Sequence, residues 1–302
     1  MILSNHLNGK PEYDNSPLFA INSWNSKLNY VNLSLIQCFY GQETSHINAV
    51  KLALLFMSLS NPRPTEWIFV EAQRDERDAK FKWVSEIGIR YVFVKIQNDR
   101  QNYFIKEQLW NIGAFLSRQK NFVFVDGDVA YCQSNWLEIV NDSFNAGVQL
   151  FQPHAWSWKA SEPNGAKDDC VDCLNILQSF AYRHTNECDL CKYWGHTGYD
   201  IALTRELYNS IHGFYSLQGT GGDFLMWSLL RNVEIWETHP LRNIIAQILK
   251  ENPIPTFEVG CANLACFHNA HGNIDQRKLK YQEDNKRSET SKNAVANNFN
   301  SM

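Results

Sequence analysis

The stretch 122–131, FVFVDGDVAY, decides how the rest of the chain is read. Phe122, Val123, Phe124 and Val125 form a β-branched and aromatic run too short for a helix, which predicts a buried strand. The run stops at two carboxylates one residue apart. Positions i and i+2 of an extended segment point the same way, so Asp126 and Asp128 can aim at one point, and Gly127 lets the backbone turn close by. Two converging carboxylates suit a hard divalent cation such as Mg²⁺ or Mn²⁺, which keeps coordination positions open for substrate phosphates.

Upstream of this strand, the pattern alternates. Tyr30 to Tyr40 reads as a strand, Ile47 to Ser60 as a helix stopped by Asn61-Pro62-Arg63-Pro64, Glu66 to Glu71 as a second strand, Arg74 to Ile87 as a helix and Arg90 to Lys95 as a third strand. Phe104 to Gln119, with Ile105, Leu109, Ile112 and Leu116 three or four apart, reads as the helix leading into the motif strand. The expected fold class is therefore α/β, a mostly parallel sheet flanked by helices. Ligands of such sheets bind beyond the carboxyl ends of the strands, where Asp126 and Asp128 fall.

Downstream, Val148 to Pro153 reads as a strand, and residues 154–192 as a less regular insert carrying Cys170-x-x-Cys173 and Cys188-x-x-Cys191. Two such knuckles separated by residues 174–187 can supply four thiolates to a structural Zn²⁺, giving a zinc-ribbon-like insert. Tyr199 to Leu203 reads as a short strand, Arg205 to Ile211 as a helix, Val233 to Thr238 as a strand and Leu241 to Lys250 as a helix. Between them, Gly219-Thr220-Gly221-Gly222 permits a tight loop before Asp223, which either caps the helix Phe224 to Arg231 or offers a carboxylate to an acceptor hydroxyl. Near the end, Cys266 to Gly272 holds two histidines three apart, with basic residues following.

Composition sets the boundaries of function. The chain has 302 residues, 44% of them hydrophobic, and a formal net charge of −4, which speaks against a protein that coats nucleic acid. The N-terminus lacks a basic region followed by an apolar one, and no apolar run reaches the roughly 18 residues of a membrane span. These features predict a cytoplasmic protein without a membrane span. Residues 1–29 read as a polar leader, 30–284 as one domain (30–147 and 148–284 as its halves), and 285–302 as a disordered tail.

In this order the pieces resemble a glycosyltransferase of the GT-A fold, closest in pattern to glycosyltransferase family 2 and the polypeptide N-acetylgalactosaminyltransferase and chondroitin-polymerase groups. The basic residue, N-x-G-a and D-x-D strand of that family are matched by Lys106, Asn111-Ile112-Gly113-Ala114 and FVFVDGDV. Its tG segment and G-F-y turn are matched by Thr197-Gly198 through Arg205 and Gly213-Phe214-Tyr215, and its G-G-[ED] motif by Gly221-Gly222-Asp223. The late H-x-x-H-G pattern is matched by His268, His271, Gly272, Arg277 and Tyr281.

The resemblance implies transfer of a sugar from a nucleotide sugar, with a UDP-sugar as the leading donor, to a hydroxyl acceptor. By the same resemblance Asp126, Asp128 and His271 bind Mn²⁺ or Mg²⁺, Asp126 also serving the nucleotide sugar, and Asp223 acts as general base. Lys106 and Arg277 contact the diphosphate, Asn111 belongs to the donor-binding stretch, and Glu71 faces the nucleoside base. Relatives often carry Glu-Asp after the glycines where this chain has Asp223-Phe224, which leaves inversion or retention open. The implied acceptor is a glycan or, as in related enzymes of phages, a hydroxymethylated DNA base. The competing reading is a non-catalytic zinc-ribbon adaptor on the same scaffold.

Overall fold

A computed structural model describes residues 29–41, 43–96, 105–160, 174–179, 181, 197–215, 222–231, 242–251, 253, 257–262 and 264–268. The four CxxC cysteines, Gly221, His271, Arg277, the strand expected over 233–238 and the tail 285–302 lie outside these residues.

The first half follows the expected alternation. Strand β1 (Tyr30–Tyr40) leads to helix α1 (Thr44–Ser58), β2 (Arg63–Gln73), β3 (Arg90–Lys95), α2 (Lys106–Leu116) and the motif strand β4 (Asn121–Asp126). β1 pairs in parallel with both β2 and β4, and β2 with β3. Side chains alternate across β4: Val123 and Val125 enter a core on one face of the sheet, Phe122 and Phe124 a second core on the other. A strand packed on both sides must be apolar throughout, which is why the run 122–125 has no polar member.

The helix expected over 74–87 does not form. Two short 3₁₀ turns, Glu76–Asp78 and Lys82–Ile87, take its place. The side chain of Asp75 accepts from the Arg77 backbone N–H, and Glu71 Oε1 and Oε2 accept from the N–H groups of Lys80 (2.7 Å) and Phe81 (3.0 Å). Local carboxylates thus take donors that a helix would need for its own carbonyls.

The second half departs further from a simple alternation. After β5 (Val129–Tyr131), α3 (Trp136–Asn145) and β6 (Leu150–Gln152) come two regular strands, β7 (Trp156–Ala160) and β8 (Leu174–Gln178), inside the segment expected to be irregular. Then follow β9 (Asp200–Thr204), α4 (Arg205–Ser210), α5 (Gly222–Arg231), α6 (Arg242–Glu251), β10 (Val259–Cys261) and β11 (Ala265–His268). The large sheet has the order β10-β6-β9-β4-β1-β2-β3 and is parallel except for β9, which runs against both β4 and β6. The expected class, α/β with a mostly parallel sheet flanked by helices, is what the chain forms. A small sheet of order β5-β11-β7-β8 stands beside it. The motif turn 127–128 joins β4 of the large sheet to β5 of the small one, so Asp126 and Asp128 sit at the seam between the sheets.

Two glycines make this seam possible. A Cβ on Gly127 would stand 2.5 Å from the backbone carbonyl oxygen of Cys38 on β1, and one on Gly113 would stand 2.4 Å from Cγ2 of Ile36. Gly127 brings the motif turn against β1, and Gly113 lets α2 lie close on the sheet.

Candidate active site

The site is assembled at the carboxyl ends of parallel strands. Asp126 ends β4 and Asp128 follows on the turn; His46 comes from the first turn of α1, just after β1; Lys106 opens α2; His268 ends β11, where it pairs with Val129 and so stands beside Asp128. Asp223 lies in the first turn of α5. An acid there suits the helix dipole, but its carboxylate also reaches across to Lys106.

Lys106 Nζ is buried 3.2 Å from Oδ1 of Asp126 and 3.8 Å from Oδ2 of Asp223. A cation at a helix N-terminus opposes the dipole, so the facing carboxylates account for its position. Burial alone would drive this ammonium toward neutrality; Asp126, then Asp223 and Glu107, reverse that and make it hold its proton more tightly than an ordinary lysine. Asp128 Oδ2 lies 3.1 Å from Nε2 of His268 and 3.8 Å from Nε2 of His46. Burial, with Lys106 pulling the other way and Asp128 and Asp223 adding to the rise, pushes the Asp126 carboxyl up to about 6. This is a place with more carboxylate than one lysine can offset. Oxygen and imidazole donors around excess negative charge fit a divalent cation such as Mn²⁺ or Mg²⁺.

Glu107 adds to that excess. It is buried and, among the described residues, neither carboxylate oxygen has a hydrogen-bond partner. Burial first, with Lys106 opposing it and Asp223 and Asp126 adding to it, pushes its carboxyl up to about 7. A folded-state value above the ordinary one means that the fold prefers the protonated acid. That preference is intact below about pH 4.3 and is lost as pH rises through about 7, where the buried group ionises. Glu107→Gln, melted in EDTA beside the parent, should therefore gain in Tm between pH 5 and 8, by roughly 5 °C or more at the upper end. A gap that stays constant with pH would contradict this.

Two expected donor-binding residues are engaged within the chain. Glu71 is fully buried and, besides the two N–H groups above, accepts from the Tyr91 hydroxyl at 2.9 Å. It holds the loop after β2. Asn111 donates from Nδ2 to the Phe214 carbonyl (2.8 Å) and accepts at Oδ1 from the Tyr208 hydroxyl (2.7 Å) and the Phe214 N–H (2.9 Å). The N-x-G-a stretch thus fastens α2 to the turn at 213–214, and Gly213, at φ 83°, makes room for that contact. In both residues the polar side chain satisfies buried backbone groups.

No family model and no curated protein matches the sequence. Among solved structures, it is similar to the mannosyltransferase PcManGT from Pyrobaculum calidifontis in complex with GDP-Man and Mn²⁺, at 12% identity and a TM-score of 0.47 over 88% of this chain and 68% of that one. It is similar to glucosyl-3-phosphoglycerate synthase from Mycobacterium tuberculosis in complex with Mn²⁺, UDP and phosphoglyceric acid, at 13% identity and 0.43 over 91% and 81%. A third is S. aureus TarS 1-349, at 11% identity and 0.48 over 79% and 60%.

Of the residues expected in the site, Lys106, Asp126, Asp128 and Asp223 come together. His46 and Glu107 join them unforeseen. His46 was findable, since it follows the first parallel strand closely, at the carboxyl end where such sheets place ligand-facing groups. Behind the site, His154 Nδ1 meets Asp200 at 2.7 and 2.8 Å, and the Tyr131 hydroxyl donates to the same carboxylate; all three residues are buried. Cys266 stands close enough that ligand-type atoms of His154, Asp200 and Cys266 lie within 4.8 Å of one another. Because the carboxylate already serves the imidazole and the phenol, the cluster is a hydrogen-bonded tie between the sheets. The sequence gives no sign of it, because the three residues come from segments far apart.

Proposed function

We propose that the protein is a metal-dependent glycosyltransferase of the GT-A fold that moves a hexose from a nucleotide sugar, a UDP-sugar first among them, to a hydroxyl acceptor. The observation that carries this reading is the convergence of Asp126, Asp128, Asp223 and Lys106 at the carboxyl end of β4, with His46 and His268 against Asp128. Asp126, Asp128 and His268 would hold Mn²⁺ or Mg²⁺, and the ion when bound offsets the charge of the leaving diphosphate. His271, three residues beyond His268, is the candidate for a further ligand.

The chain's own groups have separable tasks. Asp223 is the candidate base for the acceptor hydroxyl: its side chain retains 26% exposure, whereas that of Lys106 retains 6%. Lys106 holds Asp126 and Asp223 at fixed separation and gives the site its one buried positive charge among the described residues. Arg277 would reach the diphosphate from the segment after β11.

The acceptor is a glycan or a hydroxymethylated base. No helix among the described residues is long and apolar enough to cross a membrane, and Cys38, Cys132, Cys261 and Cys266 are all free thiols, which accords with a cytoplasmic setting. We place the structural Zn²⁺ at Cys170, Cys173, Cys188 and Cys191.

The test is nucleotide release from a panel of UDP- and GDP-sugars with Mn²⁺, with and without glycan and hydroxymethyl-DNA acceptors. One donor should turn over, and Asp223→Ala should cut acceptor-dependent turnover by about a hundredfold or more while leaving donor binding intact. Absence of binding and turnover with every donor would favour the zinc-ribbon adaptor instead.

A further inference from the structure

Tyr199 stands between the buried tie and the candidate metal ligands. It is 5% exposed and has φ 78°, the left-handed region that residues other than glycine rarely adopt. The next residue, Asp200, opens β9. In a regular strand, consecutive side chains point to opposite faces. Here both turn to His154: the Tyr199 ring lies 5.8 Å from the imidazole between centroids, and the Asp200 carboxylate is bonded to its Nδ1. The left-handed residue is what permits this.

Two contacts then connect Tyr199 with the site. Its ring stacks on His268 at 4.8 Å between centroids and 30° between planes, and Nε2 of that histidine is the atom facing Asp128. Its carbonyl oxygen accepts from the backbone N–H of Asp126 at 2.7 Å. One residue therefore touches both arms of the proposed metal site without offering a ligand itself. Strained backbone of this kind persists where the surroundings hold it in place, here the pair His154 and Asp200 behind the ring.

We infer that Tyr199 is a positioning residue for the divalent cation: its ring sets the plane of His268 and its carbonyl fixes the end of β4. This rests on the metal-binding reading of Asp126, Asp128 and His268. Groups that orient metal ligands commonly change affinity by 10 to 100-fold when removed.

The experiment is a Mn²⁺ titration of the full chain, followed by the electron paramagnetic resonance signal of the free ion, with thermal melts on the same samples. Tyr199→Asn keeps a residue tolerant of the left-handed backbone but deletes the ring, and should weaken Mn²⁺ at least tenfold in protein that still melts cooperatively. Tyr199→Phe should stay within about threefold of the parent, because the stacking face is kept. In a His268→Ala background, Tyr199→Asn should cost less than half, on a logarithmic scale, of what it costs in the parent, a coupling that loss of general stability would not produce. If the asparagine variant fails to fold, Tyr199→Leu is read in its place, with the same expected loss. Mn²⁺ binding that Asp128→Ala abolishes but both ring-deleting variants retain would overturn the role of Tyr199 alone. A parent that binds no Mn²⁺ would overturn the metal site and this role with it.

Discussion

Asp128→Ala should reduce the proposed sugar transfer by a factor of about a thousand and remove the proposed Mn²⁺ binding at micromolar concentrations. Asp128 is 4% exposed and is the carboxylate on which two imidazoles converge, 3.1 Å from His268 and 3.8 Å from His46. Stabilising a departing diphosphate by a divalent ion is worth several kcal/mol, and each 1.4 kcal/mol is about tenfold in rate. Without this carboxylate the proposed ion would keep only His268 and an Asp126 that Lys106 already engages at 3.2 Å. Parallel measurements of nucleotide release, Mn²⁺ titration and thermal melting decide the matter; a variant with undiminished Mn²⁺-dependent turnover would place the metal elsewhere.

Lys106→Met is the second large effect, and it falls on stability. Removing one partner of a buried ion pair strands the other, at a cost of about 3–5 kcal/mol, and here the stranded group is Asp126 with Asp128, Asp223 and Glu107 around it. For a chain of this size that is a fall in Tm of roughly 10 °C. The fall should depend on pH. Loss of the ammonium lets the carboxyls of Asp126 and Glu107, already raised to about 6 and about 7, rise further, so the folded state demands more protons. Stability then declines as pH rises, and the deficit is smaller at pH 5 than at pH 8. Melts at the two values, in EDTA, measure it. An equal deficit at both would mean that lost packing over Trp110, whose ring lies 4.8 Å from the ammonium, outweighs the charge.

Most of the first half of the fold was legible because its signals are local. An apolar run bounded by polar residues defines β1, β3 and β4, and three-to-four spacing defines α2. The helix expected over 74–87 does not form, for a reason that sequence conceals: Glu71 captures two N–H groups nine and ten residues further on, and nothing in the pattern says that it will. The small sheet was missed because its strands are three to five residues long and drawn from distant segments. In the site, Asp126 and Asp128 declare themselves by spacing, and Asp223 by the glycines before it. Glu71 and Asn111 stand out by pattern, but that backbone groups and tyrosine hydroxyls engage their side chains is a fact that only three-dimensional neighbours reveal. Tyr199 is the reverse case, an apolar-looking residue whose left-handed backbone and contact with His268 no pattern announces.

The close approach of Gly127 to the Cys38 carbonyl changes how the three-residue motif should be understood. Its outer letters belong to the proposed metal site, and its middle letter answers to a neighbouring strand 2.5 Å away from any Cβ placed there. An engineer who wished to change the ion taken by the proposed site could rework positions 126 and 128 and the histidines around them. Position 127 would allow no such freedom, because a larger residue there would first have to displace β1, the strand between β4 and β2 in the large sheet.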